Sequence, residues 1–170
     1  MPVTTKLSLE KVKGTIESVK RFLKSLAVKK GVAASEADVV LRDILPATDL
    51  GFTNEDFAVT LSTPNAFNTV VNRRLGSKKE LVIFGVRDIS TTPIVSAIKF
   101  AKGPDGAITK DIVEIEGLET QKEREVIFNT PIKYEDDEHM FIQYFAKAAG
   151  TARLVLLGVV AEPRGELSSE

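Results

Sequence analysis

The sequence predicts a mainly β protein, an antiparallel β-sandwich preceded by an N-terminal helical arm. Three observations predict it. Charge is divided unevenly: residues 1–31 hold eight Lys/Arg (Lys6, Lys11, Lys13, Lys20, Arg21, Lys24, Lys29, Lys30) against two Glu, whereas the other 139 residues hold fifteen basic and twenty-two acidic side chains. The basic stretch has apolar residues at helical spacing. From Phe57 onward short apolar runs alternate with turn-forming residues, the pattern of an all-β sandwich.

At 170 residues the chain has room for one β domain and an appendage, with 43% hydrophobic residues to fill a core. It contains no run of eighteen apolar residues and, at its N-terminus, no uninterrupted apolar segment of the kind a signal peptide needs. The expectation is therefore a protein that neither spans a membrane nor leaves the cell by a signal peptide. Cysteine is absent, which removes disulfides, thiolate nucleophiles and cysteine-based zinc sites.

The first expected element is a helix from Ser8 to Lys29. Leu9, Val12, Ile16, Val19, Leu23 and Leu26 recur in steps of three and four, so they form one apolar stripe. Ser8 suits an N-cap, Gly31 suits the residue past the C-terminus, and Lys29 and Lys30 complement the negative end of the helix dipole. Such a stripe buries against the protein's own sheet or against a neighbour, and these six residues are the candidate assembly interface. Lys20, Arg21 and Lys24 supply a basic face that nucleic acid or an anionic surface would attract.

A second helix is expected from Ser35 to about Leu45, opened by the capping-box pattern Ser35-Glu36-Ala37-Asp38 and stopped by Pro46. Residues 1–46 thus read as an arm of two helices, residues 46–56 as the connection, residues 57–163 as the sandwich and residues 164–170 as a tail.

Expected strands are Phe57–Leu61, Leu81–Arg87, Ile94–Lys102, Ile108–Glu116, Glu125–Phe128, Met140–Lys147 and Arg153–Ala161, with an eighth near Thr69–Asn72 or Ile132–Tyr134. Gly103-Pro104-Asp105-Gly106 reads as a hairpin connection. Ile98 and Phe100 alternate with Lys99 and Ala101, which leaves one face wet. Leu154 to Val160 is apolar on both faces and reads as a strand that lies centrally or between two layers. Seven or eight such strands make a jelly roll or an immunoglobulin-like sandwich. The missing Cys and Trp take away the hallmarks of the latter, and the jelly-roll-like arrangement is preferred.

Four segments, Lys79 to Val86, Pro131 to Tyr134, Met140 to Lys147 and Leu154 to Pro163, resemble in style the single jelly-roll structural proteins of icosahedral viruses and phages. The resemblance covers about 100 residues and rests on no diagnostic motif, so no functional residue is carried over from it. It implies a capsid or decoration subunit, found in the virion or the cytoplasm, that assembles with copies of itself and other shell proteins.

Catalytic patterns are sparse. His139, the only histidine, follows Glu135-Asp136-Asp137-Glu138, and no Gly-x-Ser-x-Gly motif supplies a serine; a solvated turn histidine is expected. The acidic run lacks the spacing of a calcium loop. Leu75-Gly76-Ser77-Lys78-Lys79 lacks the first glycine of a phosphate loop and reads as a turn. Arg73 and Arg74 form a candidate basic contact patch. Of Phe141, Tyr144 and Phe145, two are expected in the core. No catalytic residue, cofactor or metal is assigned, and the chain reads as a structural assembly protein. The alternative is a non-catalytic sandwich module that binds carbohydrate or protein.

Overall fold

Val39 to Asp43 opens the sandwich as its first strand. The computed structural model describes residues 39–76, 78–117 and 124–163, together with Glu17 and Arg21. The expected arm helix and its stripe from Leu9 to Leu26, with Lys20 and Lys24, lie outside the described residues, as does the tail. Glu17 and Arg21 are helical and exposed.

The described residues form nine strands in order: β1 Val39–Asp43, β2 Ala58–Leu61, β3 Ala66–Arg74, β4 Glu80–Asp88, β5 Val95–Lys102, β6 Ile108–Glu114, β7 Glu125–Tyr134, β8 His139–Ala146 and β9 Gly150–Pro163. They form two antiparallel sheets. Sheet 1 runs β1-β9-β4-β7, with β2 also paired to β9, and sheet 2 runs β3-β8-β5-β6. The fourteen-residue β9 is long enough to hold two short strands along one edge. Leu61 to Ala58 pair with Gly150 to Arg153, and Asp43 to Val39 pair with Val159 to Pro163. The remaining pairs nest inside one another: β5 with β6, β4 with β7, β3 with β8 and β2 with β9.

Period-two alternation puts the core between the sheets. Leu81, Ile83, Leu154, Leu156 and Val160 of sheet 1 face Ile98, Phe100, Met140, Ile142 and Tyr144 of sheet 2 in one buried cluster. Burying a side chain of this size stabilises by roughly 1.5–3 kcal/mol, which is what holds the sheets face to face. At Gly158 the chains come closest, since a Cβ there would overlap the Val82 carbonyl oxygen and the Ile44 side chain.

The expected second helix is replaced by a strand. Val39-Val40-Leu41-Arg42-Asp43 pairs with β9, so the sandwich begins by Val39, upstream of the expected boundary at residues 46–56. The apolar, β-branched run satisfies its backbone donors on an open sheet edge, which a capping pattern upstream cannot outweigh. Pro46–Leu50 then forms a single wide helical turn closed by Gly51 in the left-handed region at φ 80°. The expected eighth strand exists at both proposed places: β3 covers Thr69–Asn72, and β7 continues through Ile132–Tyr134.

Candidate interaction surfaces

The two sheets present different outer faces. On sheet 2, Phe67, Phe141, Phe145 and Ile112 share the outer face with Thr69, Lys99 and Gln143. Phe67 meets Phe145 edge-on, with centroids 5.3 Å apart, yet stays 38% exposed. Tyr144, on the same strand, points inward and is fully buried. Alternation therefore places one of these three β8 aromatics in the core, where two were expected.

At the edge of sheet 2, β6 pairs with β5 alone among the described strands. All seven of its residues are exposed or half-buried. Ile108 is 56% and Ile112 50% exposed, separated by the polar residues Thr109, Lys110 and Asp111. Such an edge offers unpaired backbone groups to another strand.

On sheet 1 the outer face is apolar and buried. Val39, Val82, Phe84, Val159 and Ala161, with Leu41, Ile127 and Leu157 around them, form a second cluster separate from the core.

An ion-pair cluster ties the start of the sandwich to its end. The Arg42 guanidinium donates to Asp49 Oδ1 and Oδ2 at 2.8 and 2.7 Å and to Glu162 Oε1 at 2.8 Å. Asp49 Oδ2 also accepts from the Leu45 amide at 2.7 Å. Burial works against the Arg42 charge, but the hydrogen bonds and charges of Asp49 and Glu162 outweigh it and raise the pKa of the guanidinium. Every strong donor and acceptor here serves the fold.

The candidate basic patch is divided. Alternation sends Arg73 and Arg74 to opposite sides of β3; Arg73 donates to the Thr48 carbonyl at 3.2 Å and Arg74 to the Asp137 carbonyl at 2.7 Å. Both keep exposed surface, so they serve as two separate charges on different flanks.

Two clefts of about 450 Å³ open at the surface. One is lined by Thr53, Asn54, Thr60, Thr69 and Thr151 beside Phe52. The other lies between the β4–β5 loop (Ser90, Thr91, Thr92) and the β8–β9 loop (Ala148, Ala149) with Gly150 at the start of β9, and Arg153 stands at its wall. Around it the Asp88 carboxylate accepts from the Ser90 amide at 2.9 Å, Arg124 donates to the Ser90 carbonyl at 2.9 Å, and Ser90 Oγ accepts from the Arg153 amide at 2.9 Å. These bonds fix the loop.

His139 opens β8 half-buried and bonds to Asn72 Oδ1 at 2.6 Å. In the acidic run, Glu138 forms an ion pair with Lys110 at 2.8 Å. Among the described residues no three His, Asp or Glu side chains converge as metal ligands do, and no helix is long and apolar enough to cross a membrane. The β6 edge is not legible in the sequence as a surface: its isoleucines are plain to read, but their exposure depends on β6 being the last described strand of its sheet.

Comparison with protein-family models, with curated proteins and with solved structures returns no match for this chain.

Proposed function

We propose that this chain is a structural subunit of a virus or phage particle, a capsid or decoration protein that self-associates through its sandwich surfaces and its basic arm. The observation that carries the reading is the nested pairing. The pairs β5·β6, β4·β7, β3·β8 and β2·β9 nest inside one another as one long hairpin rolled up would leave them, which supports the reading of the sandwich as a jelly roll. That fold serves many functions, so the surfaces must decide among them. The exposed β6 edge with Ile108 and Ile112, next to the outer face bearing Phe67, Phe141 and Phe145, supports association over small-molecule chemistry.

On this reading the partners are further copies of the chain and the other subunits of the particle. The lysine-rich arm, including Lys20, Arg21 and Lys24, meets nucleic acid or an acidic neighbour, and the protein resides in the virion or in the cytoplasm of the infected cell. The test is assembly of the purified chain followed by light scattering and negative-stain microscopy. Closed particles or a defined oligomer support the proposal, and a monomer at all concentrations counts against it.

A second reading is favoured by one observation. The cleft lined by Thr53, Asn54, Thr60, Thr69 and Thr151 beside Phe52 offers hydroxyls next to an aromatic side chain, which suits a polar ligand such as a carbohydrate. Chemical-shift changes confined to these residues on titration with a glycan panel would establish that binding module.

A further inference from the structure

The apolar outer face of sheet 1 is buried to a degree that the sheet cannot achieve by itself. Val82 and Ala161 are 0% exposed, Val39 4%, Val159 5% and Phe84 7%. Glu80, in register with Ala161, is also 0% exposed. Every member of the cluster belongs to β1, β4, β7 or β9, that is, to sheet 1. Side chains standing next to each other on one sheet shield their flanks and leave their tips open, so complete burial requires a further layer. Sheet 2 cannot supply it, because sheet 2 packs against the opposite face. The outer face of sheet 2, which is of similar extent, stays half-buried or exposed at Phe67, Lys99, Ile112, Phe141, Gln143 and Phe145.

Besides the single residue 77, three stretches of chain lie outside the described residues, apart from Glu17 and Arg21. Residues 118–123 (LETQKE) and 164–170 (RGELSSE) carry one leucine each, too little apolar surface to cover eight side chains. Only residues 1–38 contain an apolar stripe. We propose that the stripe Leu9, Val12, Ile16, Val19, Leu23 and Leu26 seats on the outer face of sheet 1 of its own chain, over Val82, Phe84, Val159 and Ala161, as a third layer of the sandwich.

The dimensions agree. A helix from Ser8 to Lys29 is about 33 Å long, within the roughly 46 Å of the fourteen-residue β9. Residues 30–38 reach about 30 Å when extended and lead into Val39, which is itself in the cluster. Charge agrees too, since the face holds the Glu80 carboxylate and the arm is the most lysine-rich part of the sequence. Glu17 and Arg21, helical and exposed, project about 130° and about 170° away from the centre of the stripe at 3.6 residues per turn, as a helix lying on the sheet requires. The inference goes beyond the assembly proposal and does not depend on what the sandwich associates with.

Thiol labelling tests it, because the natural chain has no cysteine. In the full-length protein a single Val82→Cys should react with a maleimide slowly, and adding Ile16→Asp with Leu23→Asp should speed it on the order of tenfold or more. Ile142→Cys, between the sheets, should stay slow in both backgrounds. Fast labelling of Val82→Cys in the full chain overturns the proposal. So does protection that disappears on dilution to the monomer, since the cover would then be a neighbour's arm. Should the double substitution unfold the sandwich, a benzophenone amino acid in place of Val19 decides: intrachain cross-links to β4 or β9 are expected, and cross-links only to sheet 2 or to a second chain overturn it.

Discussion

Arg42 and Asp49 are joined by two parallel hydrogen bonds, 2.7 and 2.8 Å long. Asp49 is 3% exposed and Glu162, the second partner of Arg42, is 1% exposed. One guanidinium therefore neutralises two buried carboxylates that belong to the turn after β1 and to the end of β9. Paired and forked as it is, the cluster fixes β1 on the edge of sheet 1, although an apolar replacement of all three groups would cost the fold little.

Removing the cation alone should be expensive. Arg42→Ala leaves two carboxylates buried without their counter-charge and is expected to destabilise the sandwich by about 3–5 kcal/mol. Urea unfolding followed by circular dichroism measures this. A loss below about 1 kcal/mol would show that the cluster opens to water.

Both tyrosines are internal, and the chain has only two. Burial raises the pKa of each, with a further push from the charge of Glu138 at Tyr134 and of Asp88 at Tyr144. The folded pKa lies above the unfolded value of about 10. The resulting stability is thus complete below pH 10 and is lost as pH rises toward the folded pKa. Tyrosinate absorbance should stay absent in the folded protein at pH 10 and appear together with alkaline unfolding; titration of either ring before unfolding would contradict this.

The two hydroxyls differ. Tyr134 donates to the Ala101 carbonyl at 2.8 Å, whereas the Tyr144 hydroxyl is buried with no hydrogen-bond partner among the described residues. Tyr134→Phe should cost about 1 kcal/mol, while Tyr144→Phe should be neutral or stabilising, because it removes a desolvated hydroxyl. Paired denaturation curves show the difference, and equal losses would refute it.

Gly158→Ala places a methyl group against the Val82 carbonyl oxygen and the Ile44 side chain. Backbone cannot yield as a side-chain tip can, so a destabilisation of about 1–3 kcal/mol is expected from overpacking. Thermal unfolding of the variant reads it, and an unchanged midpoint would mean that β4 and β9 separate more easily than their register implies.

Ile108 and Ile112 contribute little to the fold, being half exposed on β6. Replacing both with Lys should change stability by no more than about 0.5 kcal/mol and should reduce self-association. Sedimentation velocity of the double variant against the natural chain checks it, and an unaltered distribution would move the contact elsewhere.

Much of this architecture was legible because strand periodicity is local. The runs from Leu81 to Arg87 and from Leu154 to Val160 announce buried strands by composition alone. β3 is only a candidate strand in the sequence, since Asn68 and Asn72 carry weak strand preference and owe their pairing to β8. β7 reads as two pieces because Pro131 interrupts it. It continues there because β7 is the edge strand of sheet 1, where a missing amide costs no ladder bond. β1 reads as helix for the converse reason, that its partner lies some 120 residues away. The candidate surfaces were less legible. Which isoleucines stay wet depends on strand order, and that order is set by pairings no local pattern encodes.

The proposed assembly is read by light scattering over a concentration series, at low and high salt. The expected result is a mass that rises with concentration to a defined oligomer or a particle, with the salt dependence that a basic arm imposes. A mass equal to one chain, 18.5 kDa, at every concentration and both salts would contradict it.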